Sequence, residues 1–350
     1  MKKILILYNH RSKKLVTGGH FYEENMYNCL LEYNDFIISR VCINRPRKFI
    51  NKLFSPLLNL KYFSECKKYN LVIFNSVEGW YFIPLLFLLR VFTKTKIAII
   101  HHHFIYLEFS GIKRIFYKIL EDQFLRLSNF IITVSPYIKD LCQNKYKNKN
   151  IRIWPIPFSN ETIHTPDIEK SNNLIYIGTI EPRKGLIYLI QALIILKKQN
   201  LSLNLDIIGK VKDDSYYNEI LHLINLHNLQ VRFLGFIDND QKNILLSKSK
   251  IFVFPSLLEG YGMVLREVMA YGLPIVCFDN SAMPYLVKNN INGILVENKN
   301  SKKFAEAIAS IATDDNLRKR LSDGAYASTK ETMTPEKYKE HLHSDLCSII

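Results

Sequence analysis

IFVFPSLLEGYGMVLREVMAYGLPIVCFD, residues 251–279, is the stretch on which the fold turns. Ile251–Phe254 is a short apolar run and reads as a buried strand. A loop follows with Glu259, Gly260 and Gly262, and then a largely apolar segment, Gly262–Ala270, with the length of a short helix. Ile275–Phe278 is a second apolar run of strand type. Strand, loop, helix and strand in that order form the repeating unit of a parallel α/β sheet.

The same alternation extends outward in both directions. Its further strands on this side of the chain are Leu174–Ile177, Leu203–Ile208, Val231–Leu234 and Gly293–Val296. Helices are expected near Leu186–Lys198, Tyr216–Leu226, Asp240–Ser247 and Ser301–Ala312. An earlier series has strands at Ile4–Tyr8, Phe36–Val41, Leu71–Phe74, Ile97–Ile100, Phe130–Val134 and Ile151–Trp154, with helical patterns at Gly19–Glu32 and Lys113–Leu127. Between the two series Trp154–Lys170 holds Pro155, Pro157 and Pro166 and little periodicity, as an interdomain linker does. The tail Asp314–Ile350 reads as two more helices, broken near Pro335. A chain of 350 residues is too long for one ordinary core. The expected fold is therefore α/β, with two Rossmann-like, doubly wound parallel-sheet domains facing a cleft. Ligands of such sheets bind beyond the carboxyl ends of the strands.

Composition is that of a globular protein, 48% apolar and 23% charged, so neither disorder nor a fibrous repeat is indicated. The net charge of +15 is confined to one half. Residues 1–160 hold 25 Lys and Arg against 10 Asp and Glu, and the remainder holds 47 − 25 = 22 basic and 32 − 10 = 22 acidic residues. A basic half suits an anionic partner such as a membrane surface, a nucleic acid or a charged substrate. The six cysteines have no CxxC or other metal-ligand spacing, and several lie in apolar runs, as expected of a reduced cytoplasmic protein. MKKILILY, residues 1–8, has an apolar run of only five residues and no cleavage site after it, so it reads as a first strand and not as a secretory leader. The longest apolar stretch, Trp80–Leu89, contains Pro84, is too short to span a bilayer, and reads as a core helix.

Four loops that follow strands hold candidate chemistry. Gly18-Gly19 lets backbone N–H groups approach an anion at a helix start, but it is not the GxGxxG of a dehydrogenase. His101-His102-His103 follows a strand; one imidazole there could bond a sugar hydroxyl, and adjacent residues lack the spacing for zinc. Gly178-Thr-Ile-Glu-Pro-Arg183-Lys184-Gly185 sets two cations beside a glycine and a helix start, which suits a diphosphate: Arg chelates its oxygens, and Lys adds a compact charge. A departing diphosphate gains negative charge, so these cations could stabilise the transition state. The loop of the opening stretch holds Glu259 before its helix and Glu267 inside it, so one carboxylate could hold a sugar while the other reaches ribose hydroxyls. Glu267 lies on a largely apolar helix and needs a polar partner, with Arg266 or Lys288 as the plain surface alternative. Asp238-Asn239-Asp240 matches a metal-binding DxD but precedes a helix, where Asp caps free N–H groups.

On these residues the chain resembles the family 4 glycosyltransferases, retaining enzymes of the GT-B fold. The likeness rests on Glu259 and Glu267 in an E-x7-E element, on Gly178, Arg183 and Lys184, on the early Gly18-Gly19, on the post-strand histidines and on FIITVSPYIKDL at 130–141. It covers nearly the whole chain and is most specific in the second half. The resemblance implies that Arg183 and Lys184 bind the donor diphosphate, that Glu267 binds ribose, and that Glu259 contacts the transferred sugar beside the amides of Gly260, Tyr261, Gly262 and Met263. It places Gly235, Phe236 and Ile237 beside the base and one of His101, His102 and His103 by the donor sugar. It implies a UDP- or GDP-sugar donor, no cofactor, no metal site, and retention by a front-face route without a protein nucleophile. The family often has an Asn-Gly turn after the linker strand, where this chain has Ile156-Pro-Phe-Ser-Asn160, a change of turn and not of chemistry. The implied domains are residues 1–160 on the acceptor side, joined by the helix 334–350, and residues 161–333 for the nucleotide sugar.

The acceptor half is the basic half, so the expected acceptor is a glycan or glycolipid of cell-surface polysaccharide or glycolipid synthesis, met at the inner face of the cell membrane by a cytoplasmic or peripheral protein. Arg45, Arg47, Lys48, Lys52 and Lys61, interleaved with Phe49, Leu53 and Phe54, are the expected membrane contacts. The alternatives are a GT-B sugar-nucleotide hydrolase or epimerase, a non-catalytic scaffold, and a basic nucleic-acid-binding protein. No nucleic-acid recognition motif is visible, so no nucleic acid is expected as a partner.

Overall fold

The computed structural model describes residues 1–9, 18–43, 56–77, 79–158, 172–331 and 333–350. The chain divides into two compact units, Met1–Pro157 with Met333–Ile350, and Phe158–Thr332. Each is built on a six-stranded sheet, and every strand pairing in both sheets is parallel.

The first unit contains β1 (Lys2–Asn9), β2 (Phe36–Ile43), β3 (Leu71–Asn75), β4 (Lys96–His101), β5 (Phe130–Thr133) and β6 (Asn150–Ile153) in the order β2-β1-β3-β4-β5-β6. Val72, Phe74, Ile97, Ile99 and Ile131 are buried among Leu85, Leu86 and Leu89 of the helix Ile83–Phe92 and Phe124 and Leu125 of the helix Gly111–Leu127. Short apolar runs become strands here because helices cover the sheet. The stretch Trp80–Leu89 is indeed core: Gly79–Phe82 forms a 3-10 turn and the helix beyond it buries its leucines.

Most element ends differ from the sequence reading by one or two residues, and two of the differences have a visible cause. β2 runs on to Ile43 because its whole length pairs with β1, from Lys2 opposite Phe36 to Asn9 opposite Ile43. Trp154 is not part of β6: it follows the strand, is fully buried, and its indole Nε1 donates to Asp345 Oδ2 at 3.0 Å. That bond helps dock the last helix, Pro335–Ile349, whose Tyr338, Leu342, Leu346 and Ile349 form one buried stripe on the first unit. The carbonyl of Trp154 accepts from Tyr22 Oη at 3.1 Å, which ties in the helix Gly18–Leu31 as well.

The second unit contains β7 (Asn173–Ile177), β8 (Asn204–Ile208), β9 (Val231–Gly235), β10 (Ile251–Phe254), β11 (Ile275–Phe278) and β12 (Gly293–Val296) in the order β12-β11-β10-β7-β8-β9. Its core joins the fully buried β10 and β11 to Leu186, Leu189, Ile190 and Leu193 of the helix Leu186–Lys198 and to Phe304 and Ile308 of the helix Ser301–Thr313. The opening stretch folds as read, with strands at both ends and the helix Met263–Met269 between them. Chain order runs outward from β7 through β8 and β9 on one side, and from β10 through β11 and β12 on the other. The reversal falls between β7 and β10, which are hydrogen-bonded neighbours, and a crevice opens at such a switch point.

Both tryptophans, Trp80 and Trp154, lie in the first unit, so tryptophan fluorescence reports on that unit alone. Leu342→Ala empties a fully buried site beneath the tail helix and is expected to destabilise the unit by about 3 kcal/mol. Urea unfolding followed by that fluorescence checks it.

Candidate functional site

The loops after β7 and β10 meet at the switch point and are held together by backbone as well as side chains. Pro182–Lys184 makes one 3-10 turn, closed by Gly185 with φ +65°. A Cβ on Gly185 would fall 2.0 Å from the carbonyl oxygen of Pro255, so only glycine lets the two loops approach this closely. Leu257 N–H donates to the carbonyl of Arg183 at 2.9 Å. Arg183 in return donates from Nη1 to the carbonyl of Leu258 at 2.9 Å, and from Nη2 to Glu181 Oε1 at 3.0 Å.

Glu259 sits at the centre of this join. Its carboxylate is ion-paired with the Lys184 ammonium, accepts from Ser256 Oγ at 2.8 Å, and lies 4.0 Å from Arg183 Nη1. Its backbone N–H donates to Ser281 Oγ at 3.0 Å. The Lys184 and Glu259 side chains are each only 13% exposed. Burial would push the Glu259 carboxyl up, but Lys184 and Arg183 outweigh it and hold it below its usual range. Burial lowers the Lys184 ammonium, with Arg183 adding to the effect and Glu259 opposing it. Apolar residues in place of such a pair are often neutral for stability, so the fold alone gives little reason to keep it. Ser256 and Ser281 were not singled out in the sequence; the legible signal was Ser256 three residues before Glu259 in the same loop.

Glu267 has a different partner, Lys242 of the helix Asn239–Lys248. The surface alternatives do not hold it: Arg266 donates to the carbonyl of Ser328 at 3.1 Å, and Lys288 to that of Pro284 at 3.1 Å. Asp238 is a helix cap, its Oδ1 accepting from Gln241 N–H at 2.8 Å. Lys242 lies one turn beyond that cap, so Glu267 stands beside the loop that follows β9. This loop begins at Gly235, with φ +67°, and presents the Phe236 ring 72% exposed, with the Lys210 ammonium 5.0 Å from its centroid. Ile237 packs on the core. Across β8, Gly209 N–H donates to the carbonyl of Gly235 at 2.8 Å, and Gly178 N–H to that of Ile208 at 2.9 Å. Gly178 and Gly235 thus stand at the same edge.

Gly260, Tyr261 and Gly262 lead into the helix at Met263, Gly262 with φ +83° and Tyr261 stacked parallel to Phe158 at 6.4 Å. This helix is only seven residues long. Its dipole is correspondingly small, and the carboxylates and cations carry most of the local charge.

In the first unit Gly18 and Gly19 are the first two residues of the helix Gly18–Leu31, not a loop before it; the loop itself lies outside the described residues. The three histidines point to three environments. His101 ends β4, is fully buried against Phe104, and holds Nδ1 4.0 Å from Glu121 Oε1. His102 packs edge-on against Tyr22 of the glycine-led helix at 5.2 Å, with Nε2 3.5 Å from Asn75 Nδ2. His103 Nε2 lies 3.0 Å from Glu108 Oε1. Burial and then the neighbouring histidines push His101 well below its usual range, so it stays neutral. Glu121 fastens the segment after the histidines, accepting from Ile105 N–H at 3.1 Å and Tyr106 N–H at 3.5 Å. Of the expected membrane contacts, 44–55 lies outside the described residues, and Lys61 rests 5.0 Å over the Tyr62 ring. Among the described residues the grouping that could hold a metal is Asp35, His343 and Cys347, all in the first unit.

Residues 160–328 match the family model described as Glycosyl transferases group 1, a span that takes in nearly all of the second unit. A stretch of 125 residues, 35% of this chain, is 34% identical to 32% of the Campylobacter jejuni N-acetylgalactosamine-N,N'-diacetylbacillosaminyl-diphospho-undecaprenol 4-alpha-N-acetylgalactosaminyltransferase. The chain spans 35% to 55% of the length of the first curated relatives it matches, which are uncharacterized glycosyltransferases. Among solved structures, sucrose-phosphate synthase from Thermosynechococcus elongatus superposes with a TM-score of 0.80 at 17% identity, over 100% of this chain and 99% of that one. Anabaena HepE, in complex with UDP, gives 0.77 at 17% identity, over 99% and 100%. The chain has the two-domain α/β GT-B fold.

Burial raises the Glu121 carboxyl to about 7, against the pull of its two N–H donors, His103 and Lys145. Its folded value thus exceeds its unfolded one. The stability it contributes is complete below the ordinary carboxyl range and is lost as pH rises through about 7. Glu121→Gln removes that titration. Relative to the parent, its melting temperature is expected to rise between pH 5 and pH 8 in melts of unit-one fluorescence, whereas a constant difference would assign Glu121 no titration in this window.

Proposed function

We propose that this chain is a retaining glycosyltransferase that takes its sugar from a nucleoside-diphosphate sugar and passes it to a glycan or lipid-linked acceptor. The observation that carries the reading is the convergence of Arg183, Lys184 and Glu259 from two loops at the switch point of the second sheet. The group 1 match over residues 160–328 supports it. The UDP complex of HepE supports the donor class, and the undecaprenol-linked substrate in the Campylobacter name supports a lipid-linked acceptor.

In this reading the diphosphate lies against Arg183 and Lys184, near the amides of Gly260 to Met263. The lysine is buried, and its pairing with Glu259 fixes it in place before the donor arrives, so little reorganisation is needed. Glu259, held ionised by the two cations, accepts hydrogen bonds from the transferred sugar. Glu267 exchanges Lys242 for ribose hydroxyls, and Gly235, Phe236 and Ile237 flank the base, with the exposed Phe236 ring available for stacking. Of the histidines His101, His102 and His103 in the first unit, His101 is sealed in the core and is the least suited to meet a sugar.

The bond from the anomeric carbon to the leaving phosphate oxygen breaks as the acceptor oxygen bonds to that carbon on the same face. The acceptor proton passes to the leaving phosphate. Arg183 and Lys184 take up the charge that grows on the diphosphate, worth several kcal/mol in a site shielded from water. No protein nucleophile and no metal enter the scheme, so activity is expected to survive EDTA.

A thermal-shift screen with UDP-, GDP- and ADP-sugars tests the donor site, since a ligand bound only by the native state raises its melting temperature. Lys184→Ala and Glu267→Ala are each expected to abolish the shift. A full shift in both variants places the donor elsewhere. Product analysis with and without acceptor separates transfer from hydrolysis or epimerisation.

A further inference from the structure

The helix Pro335–Ile349 meets the first unit along a second line of contacts beside its buried stripe. Lys339, His343 and Cys347 recur at every fourth residue and so lie above one another on the helix. Opposite them runs the stretch 32–36, which leads into β2. The Lys339 ammonium pairs with Glu32, and the Lys339 carbonyl accepts from Tyr33 Oη. One turn on, His343 Nε2 lies 2.8 Å from Asp35 Oδ2. The His343 ring stands edge-on to Tyr33 at 4.9 Å and tilted against the buried Phe36 at 5.6 Å. Two aromatic rings therefore fix the direction of both its nitrogens. Nδ1, on the far side from Asp35, lies 3.9 Å from Cys347 Sγ.

An ionised carboxylate can only accept, so Nε2 carries the proton and Nδ1 presents its lone pair beside the thiol. That is the arrangement of a metal-binding histidine, whose second ring N–H is held by a carboxylate. A tetrahedral zinc ion, about 2.0 Å from nitrogen and about 2.3 Å from sulfur, sets those two atoms about 3.6 Å apart. The separation found here is close to that, and the three residues bring their ligand atoms within 4.8 Å of one another. A surface pair of Asp and His contributes little by itself and gives no reason for a thiol beside it. Cys347 is also the exposed one of the six cysteines, whereas a free cysteine ordinarily behaves as a small buried hydrophobe. The donor set selects the metal. Magnesium and calcium take oxygen ligands, while thiolate with imidazole suits zinc.

We propose that His343 Nδ1 and Cys347 Sγ hold a divalent zinc ion, with the Asp35 carboxylate behind the imidazole and water in the remaining positions. The thiol gives its proton to solvent as the ion binds. The two ligands stand one turn apart, so the ion requires the helix to be formed; Asp35 requires it to be docked. The ion thus stabilises the attachment of the tail helix to the first unit. Asp35 immediately precedes β2, which places the ion at the amino edge of the first sheet. Ligands of such sheets are bound at the opposite edge, so the ion is structural. Spacing among the cysteines does not reveal the pair, because only one thiol takes part. The proposal does not rest on the donor reading, and its test uses no donor.

Cobalt(II), which substitutes for zinc and whose bond to a thiolate absorbs in the near ultraviolet, tests it on the untagged, reduced full chain after treatment with EDTA. A charge-transfer band is expected that saturates at a single equivalent and is bleached by zinc but not by magnesium. Cys347→Ser is expected to abolish the band, and Asp35→Ala to weaken binding about ten- to a hundredfold. Zinc is expected to raise the melting temperature followed by unit-one fluorescence in the parent and to leave that of Cys347→Ser unmoved. Asp35 and Cys347 are both exposed, so the variants retain the fold. The proposal is overturned if the reduced parent gives no band, or if Asp35→Ala binds as tightly as the parent. It is overturned equally by a band that survives Cys347→Ser, which would assign the thiolate to another cysteine.

Discussion

The second unit depends on one close approach. Where β7 and β10 lie side by side, the loops that leave them touch backbone to backbone, because Gly185 brings no side chain to the carbonyl of Pro255. That contact places Lys184 against Glu259 and Arg183 within reach of both. Two cations and a carboxylate would be costly to bury singly; together, with Ser256 and Glu181 as further partners, they satisfy one another. A larger residue at position 185 would push the loops apart and break up the charge cluster as a consequence.

The arrangement also explains how a single fold holds two acidic residues in different states of use. Glu259 is drawn into the cation pair and kept ionised by it, while Glu267, eight residues on, faces another helix and pairs with Lys242. Glu267 lies within the seven-residue helix Met263–Met269, which turns it toward the loop after β9. Sugar and nucleotide contacts in the proposed reading therefore come from separate ion pairs, each of which a ligand can enter by exchange and neither of which needs a new buried charge.

In the first unit the same economy appears around Glu121. One buried carboxylate caps the segment after the histidines and lies beside His101, so the strand end and the helix Gly111–Leu127 are fixed to each other. The helix is rigidly based at this point and bare beyond it.

Much of this was legible in the sequence. The apolar runs of β10 and β11 and the glycines between them specify a parallel unit wherever they occur, since a run without alternation must be buried on both faces. The charge confined to the first half and the candidates Arg183, Lys184, Glu259 and Glu267 follow from residue order alone. Pairing does not. Arg183 and Glu259 are 76 positions apart, and which cation meets which carboxylate depends on the strand order that makes β7 and β10 neighbours. Lys242 as the partner of Glu267, and the separate surroundings of three adjacent histidines, depend on tertiary packing in the same way. So does the exposure of Ile112, Ile115, Phe116 and Ile119: a stripe at helical spacing reads the same whether it faces a core or solvent, and only the position of the neighbouring elements decides which.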